Sequence, residues 1–362
     1  MCSNKNFLQG VDIMLTNFTQ LTKLFRDELV LCGVKEGEFV VVASQPESRV
    51  GYVDAFLAAI ESLGAQGMNL QFPGIRHAHL PYIGRQTQDI DIFIDSVPHA
   101  METLRKADMV VDVTAEGLVH TKARSVTLSN GARMLMVWEK AEILERMFPR
   151  ESLRKRVETS MDMLKQAESM RVTSAAGTDI SVRLASNTPI IGQYGYTDQP
   201  GRWDHFAGGF AAFYPIEESV NGRIVLDAGD ILLPLNRYIS SPIDITIKNG
   251  FITDIKGEGL DVLLFKQYFE SWNDKEVYGT SHFGWGLDEN ALWEALSFYG
   301  NETYGMDARA FAGNFMWSTG PNAHVKRFTK CHYDIPMRGC SIELDGKEII
   351  KAGTIVDPRL KP

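Results

Sequence analysis

Glu38 to Ser44 reads E-F-V-V-V-A-S, Val50 to Leu63 reads V-G-Y-V-D-A-F-L-A-A-I-E-S-L, and Gln66 to Phe72 reads Q-G-M-N-L-Q-F. The first run is short, β-branched and apolar throughout, as expected of a strand buried on both faces. The second repeats its apolar positions at helical spacing, and Gly64 supplies a stop. With the third run they form a strand–helix–strand unit. The pattern repeats with a helix near Ala100 to Ala107, a strand at Asp108 to Val113 and another at Arg133 to Trp138. These runs predict an α/β N-terminal domain with an open, largely parallel sheet.

Beyond it the periodicity changes. A charged helical region, Lys140 to Ser169, is expected to bridge to a second domain. Val172 to Leu184, Arg223 to Ile231, Ile243 to Ile255 and Ser341 to Val356 alternate, and glycine-bearing turns interrupt them. Lys248-Asn249-Gly250-Phe251 and Leu344-Asp345-Gly346-Lys347 carry the hairpin dipeptides Asn-Gly and Asp-Gly. Helices are expected at Asp261 to Trp272 and Glu289 to Tyr299. The second domain is thus α+β with mainly antiparallel strands, and the boundary is placed at 168: residues 1–168 and 169–362.

Composition narrows the function. The 362 residues are 44% apolar and 23% charged, with 37 Lys and Arg against 46 Asp and Glu, a formal charge of −9. Two domains fit that length. No apolar run reaches the ~18 residues of a membrane span, and the start has no signal-peptide pattern. No basic cluster is present to neutralise phosphates, which excludes nucleic acid as the expected partner. The cysteines at 2, 32, 331 and 340 are too few and scattered for a disulfide framework, so a cytoplasmic protein with reduced thiols is expected.

The standard nucleotide and protease fingerprints are missing. The turn after the first strand is S-Q-P-E-S-R-V-G, not G-x-G-x-x-G, and there is no P-loop, H-E-x-x-H, G-x-S-x-G or C-x-x-C. Attention falls on the eight histidines. In Cys331-His332-Tyr333-Asp334, His332 and Asp334 are two apart, so an extended chain offers both to one cation. His282, in Ser281-His282-Phe283-Gly284-Trp285-Gly286, is the leading third ligand. Two histidines and a carboxylate suit non-haem Fe(II) and also catalytic zinc; a surface pair is the plain alternative. His77-Ala78-His79 is a rival motif that reads better as a loop. Tyr194 to His205 and Asp307 to Asn322 are aromatic, glycine-punctuated stretches, read as a long loop beside a site and as a helix-like segment running into a turn.

Taken together, Y-G-Y-T-D-Q-P-G-R-W-D-H (194–205), S-H-F-G-W-G-L (281–287), M-D-A-R-A-F-A-G-N-F (306–315), S-T-G-P-N (318–322) and C-H-Y-D-I-P (331–336) closely resemble the 2,5-dihydroxypyridine 5,6-dioxygenase family. The resemblance implies a fold related to the thermophilic metallo-aminopeptidases. It also implies a mononuclear Fe(II) site on His282, His332 and Asp334. Where those peptidases carry a glutamate ahead of G-x-G, this chain carries His282, and a second glutamate is lost around Gly208-Gly209. Fewer carboxylates favour one ion over two. The resemblance further implies catalytic and substrate-contacting roles for His205 and His120, and a substrate contact for Ser318. The implied reaction is cleavage of 2,5-dihydroxypyridine by O2 to N-formylmaleamate, in nicotinate degradation, by a homo-oligomer. The competing expectations are a metal-dependent aminopeptidase of the related fold and a non-catalytic metal- or small-molecule-binding protein.

Overall fold

The computed structural model describes residues 4–74 and 88–362, with side chains from Asn17 onward apart from positions 88, 89 and 92. The chain divides into two compact units. Among the described residues the first comprises 4–74, 88–145 and Tyr196–Phe206, and the second Arg146–Gly195 and Ala207–Pro362. A boundary at 168 differs from this division in two places. The helix Glu151–Gln166 groups with the second unit, and the segment Tyr196–Phe206 returns to the first.

The first unit is built on a five-stranded, wholly parallel sheet. Its order is Gln66–Gln71, Phe39–Ser44, Met109–Asp112, Arg133–Met136, Trp203–His205. Val40, Val41 and Val42 are fully buried, as are Met109, Val110 and Val111. That explains the unbroken apolar runs: each central strand has core on both faces. The helix Tyr52–Ser62 connects the first two strands, and its buried side is Tyr52, Ala55, Phe56, Ala59 and Ile60. Phe25, from the long N-terminal helix Asn4–Leu31, stacks on Phe56 at 3.8 Å between ring centroids. The fifth strand, Trp203–His205, differs from the irregular loop expected there. Three residues carry no usable period. Strand geometry comes from pairing in register with Met134, Leu135 and Met136, which is long-range information.

The second unit holds antiparallel sheets. One has eight strands, and in it the two expected hairpins form: Ile243–Lys248 with Phe251–Gly257, and Cys340–Leu344 with Lys347–Lys351. Both turns carry two consecutive positive φ values, 49° and 82° at Asn249 and Gly250, 50° and 76° at Asp345 and Gly346. That is the twist-matched hairpin turn these dipeptides favour. The other main sheet runs Tyr333–Met337, Phe315–Thr319, Thr280–Gly286, Phe210–Phe213, Ile190–Gln193. Pro336, which cannot donate a ladder hydrogen bond, lies on its edge strand. The strand Phe315–Thr319 lies where the sequence reads as a helix-like segment running into a turn, and the helix Ala295–Tyr299 is shorter than its expected span.

Two helices cover one face of this five-stranded sheet. Trp285 Nε1 donates to Ser160 Oγ of the helix Glu151–Gln166 at 3.3 Å. Tyr333 packs against Phe265, Tyr268 and Phe269 of the helix Leu260–Ser271. Phe283, Trp317 and Ile335 pair across strands on that same face and are all fully buried; each is worth roughly 3 kcal/mol of burial. Because strand side chains alternate, His282, Ser318 and Asp334 fall on the opposite face.

Candidate metal centre

That opposite face gathers three donors from two strands. His282 lies in Thr280–Gly286, Asp334 in the edge strand Tyr333–Met337, and His332 just before it. Their donor atoms all lie within 4.8 Å of one another, the one cluster of its kind among the described residues. Asp334 Oδ1 is 3.2 Å from His282 Nε2 and 3.0 Å from His332 Nε2. It is nevertheless buried without a hydrogen bond of ordinary geometry, as is His282 Nδ1. Two imidazole Nε2 atoms converging on one buried carboxylate oxygen make a donor set suited to a cation.

The charge states agree with that fit. Burial lowers the His282 imidazole below its ordinary value, against the pull of Asp334, so the ring is neutral and keeps a lone pair. Burial opposes ionisation of Asp334. Beside His332 and Arg309, and with the imidazole contacts, the carboxyl is nonetheless held well below the usual carboxylate range. Metal ligands must be deprotonated, and both shifts run in that direction.

Arg309 is the residue sequence reasoning missed. It sits in the five-residue helix Met306–Ala310, and its Nε donates to Asp334 Oδ2 at 2.6 Å. This orients the carboxylate, occupying Oδ2 and leaving Oδ1 toward the imidazoles. The helix is itself pinned. Arg146 makes a two-pronged pair with Asp307 at 2.7 and 2.9 Å, and Asn314 Nδ2 donates to the carbonyls of Ala308 and Arg309. The signal was present as one arginine in M-D-A-R-A, but nothing in that word says which carboxylate it meets.

The glycines around His282 have a packing cause. A Cβ at Gly284 would collide with the Ala211 carbonyl oxygen, and one at Gly286 with that of Phe311. At Gly208 a Cβ would lie 2.5 Å from Gly195 N, so no carboxylate side chain fits there.

The remaining expected residues are placed as follows. Ser318 is fully buried in Phe315–Thr319, directly paired with Asp334, and its Oγ accepts the backbone N–H of His282 at 3.0 Å. His205 belongs to the first unit, at the carboxyl end of the fifth parallel strand. It is buried against Trp138 and Trp203 at 4.8 and 5.6 Å between ring centroids. Asp204 Oδ1 accepts the His205 backbone N–H, and Asp204 Oδ2 pairs with Arg202 at 2.5 Å. His120, also in the first unit, is exposed. Both follow carboxyl ends of parallel strands, where open α/β sheets present their binding residues. His77 and His79 lie outside the described residues.

Comparison with known proteins bears on this arrangement directly. The family model for 2,5-dihydroxypyridine 5,6-dioxygenase (NicX) matches residues 20–357. A curated 2,5-dihydroxypyridine 5,6-dioxygenase from Pseudomonas putida KT2440 is 40% identical over 342 residues, covering 94% of this chain and 97% of its own. The solved structure of the 2,5-dihydroxypyridine dioxygenase from Pseudomonas putida KT2440 matches with a TM-score of 0.90 at 38% identity, covering 95% of this chain and 99% of that one. Wild-type AmpT from Thermus thermophilus matches with a TM-score of 0.60 at 12% identity, over 94% of this chain and 98% of its own. That last likeness extends to the fold alone.

Proposed function

The chain belongs to the 2,5-dihydroxypyridine 5,6-dioxygenase family, and on that premise we propose that it cleaves 2,5-dihydroxypyridine with O2 at a single Fe(II) held by His282, His332 and Asp334. The observation that carries the metal assignment is the buried Oδ1 of Asp334, facing two Nε2 atoms at 3.0 and 3.2 Å. Two histidines on one side of one carboxylate leave positions open for substrate and dioxygen. Bound there, Fe(II) supplies inner-sphere activation of both reactants at one centre.

The chain's own residues do the rest. Arg309 holds Asp334 ionised and oriented. Neutral His282 and the apolar underside of the sheet keep the site's geometry fixed without spending charge. His205 is the first choice to take the proton from the ring hydroxyl and return it later, with His120 second; an imidazole near neutrality suits both transfers. Opening between ring carbons 5 and 6 with both oxygens retained gives N-formylmaleamate. A cytoplasmic homo-oligomer serving nicotinate breakdown completes the reading. It accords with the buried, unpaired thiols of Cys32, Cys331 and Cys340 and with the absence of any described helix long and apolar enough to cross a membrane.

Anaerobic loading with Fe(II), then 2,5-dihydroxypyridine and air, tests it. Loss of substrate absorbance with matching oxygen uptake is expected. Bound iron with no oxygen consumed would leave only a binding protein, and amino-acid release from peptides would favour the aminopeptidase.

A further inference from the structure

Between Thr280↔Thr319 and Phe283↔Trp317 the ladder slips by one residue. Two residues of one strand, Ser281 and His282, therefore face one residue of the other, Ser318. This is a β-bulge, and it falls on a candidate metal ligand. A bulge leaves a ladder donor or acceptor without its regular partner, and in a strand buried at every position no water replaces it. Here the hydroxyl of Ser318 takes that place: the His282 N–H donates to Ser318 Oγ at 3.0 Å. The other bulge residue is tied as well, since Ser281 Oγ donates to the Pro321 carbonyl at 2.7 Å. On its far side Ser318 pairs directly with Asp334. One side chain thus joins the backbone of one ligand to the strand that carries another.

We propose that Ser318 is a positioning residue of the metal centre. Its hydroxyl closes the bulge and thereby fixes where the His282 imidazole points relative to Asp334. This differs from the substrate contact that family resemblance implies for Ser318. An alanine there leaves the His282 N–H buried without an acceptor, and the bulge is free to relax toward regular register. A one-residue slip turns a strand side chain to the other face, so partial relaxation pulls His282 off the metal. The inference rests on the reading that His282, His332 and Asp334 hold the metal, and its test separates the two.

Metal-free wild type, Ser318→Ala and Ser318→Thr are titrated with Co(II), followed by its visible absorption and by calorimetry. The KM for 2,5-dihydroxypyridine is measured at saturating Fe(II). Ser318→Ala is expected to bind Co(II) about 10-fold or more weakly, the scale of a lost outer partner of a ligand. Its Co(II) spectrum should change while KM stays at the wild-type value, and Ser318→Thr, which keeps the oxygen, should restore tight binding. If circular dichroism shows the alanine variant unfolded, Ser318→Cys replaces it, and its weak acceptor should give an intermediate loss. Co(II) bound as tightly by Ser318→Ala as by wild type, with KM raised, overturns the proposal and returns Ser318 to substrate binding. Wild type that binds no Co(II) at all defeats the metal assignment instead.

Discussion

The two units present chemistry in opposite ways. In the central strands of the first unit's parallel sheet, side chains are consumed by core on both faces, so there the strand ends are what is free for other work. His205 is such an end, the last residue of Trp203–His205. In the five-stranded antiparallel sheet of the second unit, one face is given to helices and the other is usable along the strand. There Ser318 and Asp334 meet as register partners, with His282 set beside them by a bulge. A site at strand ends depends on loops and single residues. A site in mid-strand depends on pairing, and damage to it should spread.

The largest effect should come from the mid-strand site itself. His282→Ala is expected to abolish metal binding and turnover together, read by metal analysis of the purified protein and by oxygen uptake. Turnover surviving without His282 would break the contrast at its root. Next comes Arg309→Met, which strips the partner from a buried carboxylate. Removing one member of a buried pair costs about 3–5 kcal/mol, so chemical denaturation of the metal-free protein should show a loss of that order. Added divalent metal should recover part of it by supplying positive charge.

The strand-end site should behave otherwise. His205→Ala is expected to slow turnover on the order of 100-fold while metal content stays near wild type. His120, exposed, should give a smaller loss of turnover when changed to alanine. Metal lost from His205→Ala would show that the two kinds of site are not separable. A last and smaller effect concerns pH. Burial pushes the Asp230 carboxyl up to about 7, above its value in the unfolded chain, although it accepts the backbone N–H groups of Arg338 and Asp227. A raised folded value means its contribution is full below pH 4 and is lost as pH rises through 7. Across that window the stability of Asp230→Asn should change with pH less steeply than that of wild type, by thermal melts at each pH.

How much of this was legible follows the same division. The central parallel strands declare themselves because double burial demands apolar runs, and the hairpins because Asn-Gly and Asp-Gly supply two left-handed residues. Trp203–His205 does not, since an aspartate stands between its tryptophan and histidine and only Met134 to Met136 make it a strand. His332 and Asp334 are readable from H-x-D. His282 was a leading third ligand among eight histidines, and its assignment drew on family resemblance. The bulge that positions it cannot be read, because register is a relation between strands and not a property of either. Arg309 was hidden for the same reason: its partner lies 25 residues away in sequence.

The return of Tyr196–Phe206 to the first unit has a consequence for how this protein can be made. During synthesis the parallel sheet lacks its last strand until the chain has already begun the second unit at Arg146. A gene fragment ending at 145, or at 168, encodes four strands and an open edge at Arg133–Met136 where the fifth should pair. Neither unit is a contiguous stretch of chain, so neither can be expressed intact by cutting once. An engineer wanting the metal-bearing unit alone would have to splice out the segment Tyr196–Phe206, and would discard His205 with it.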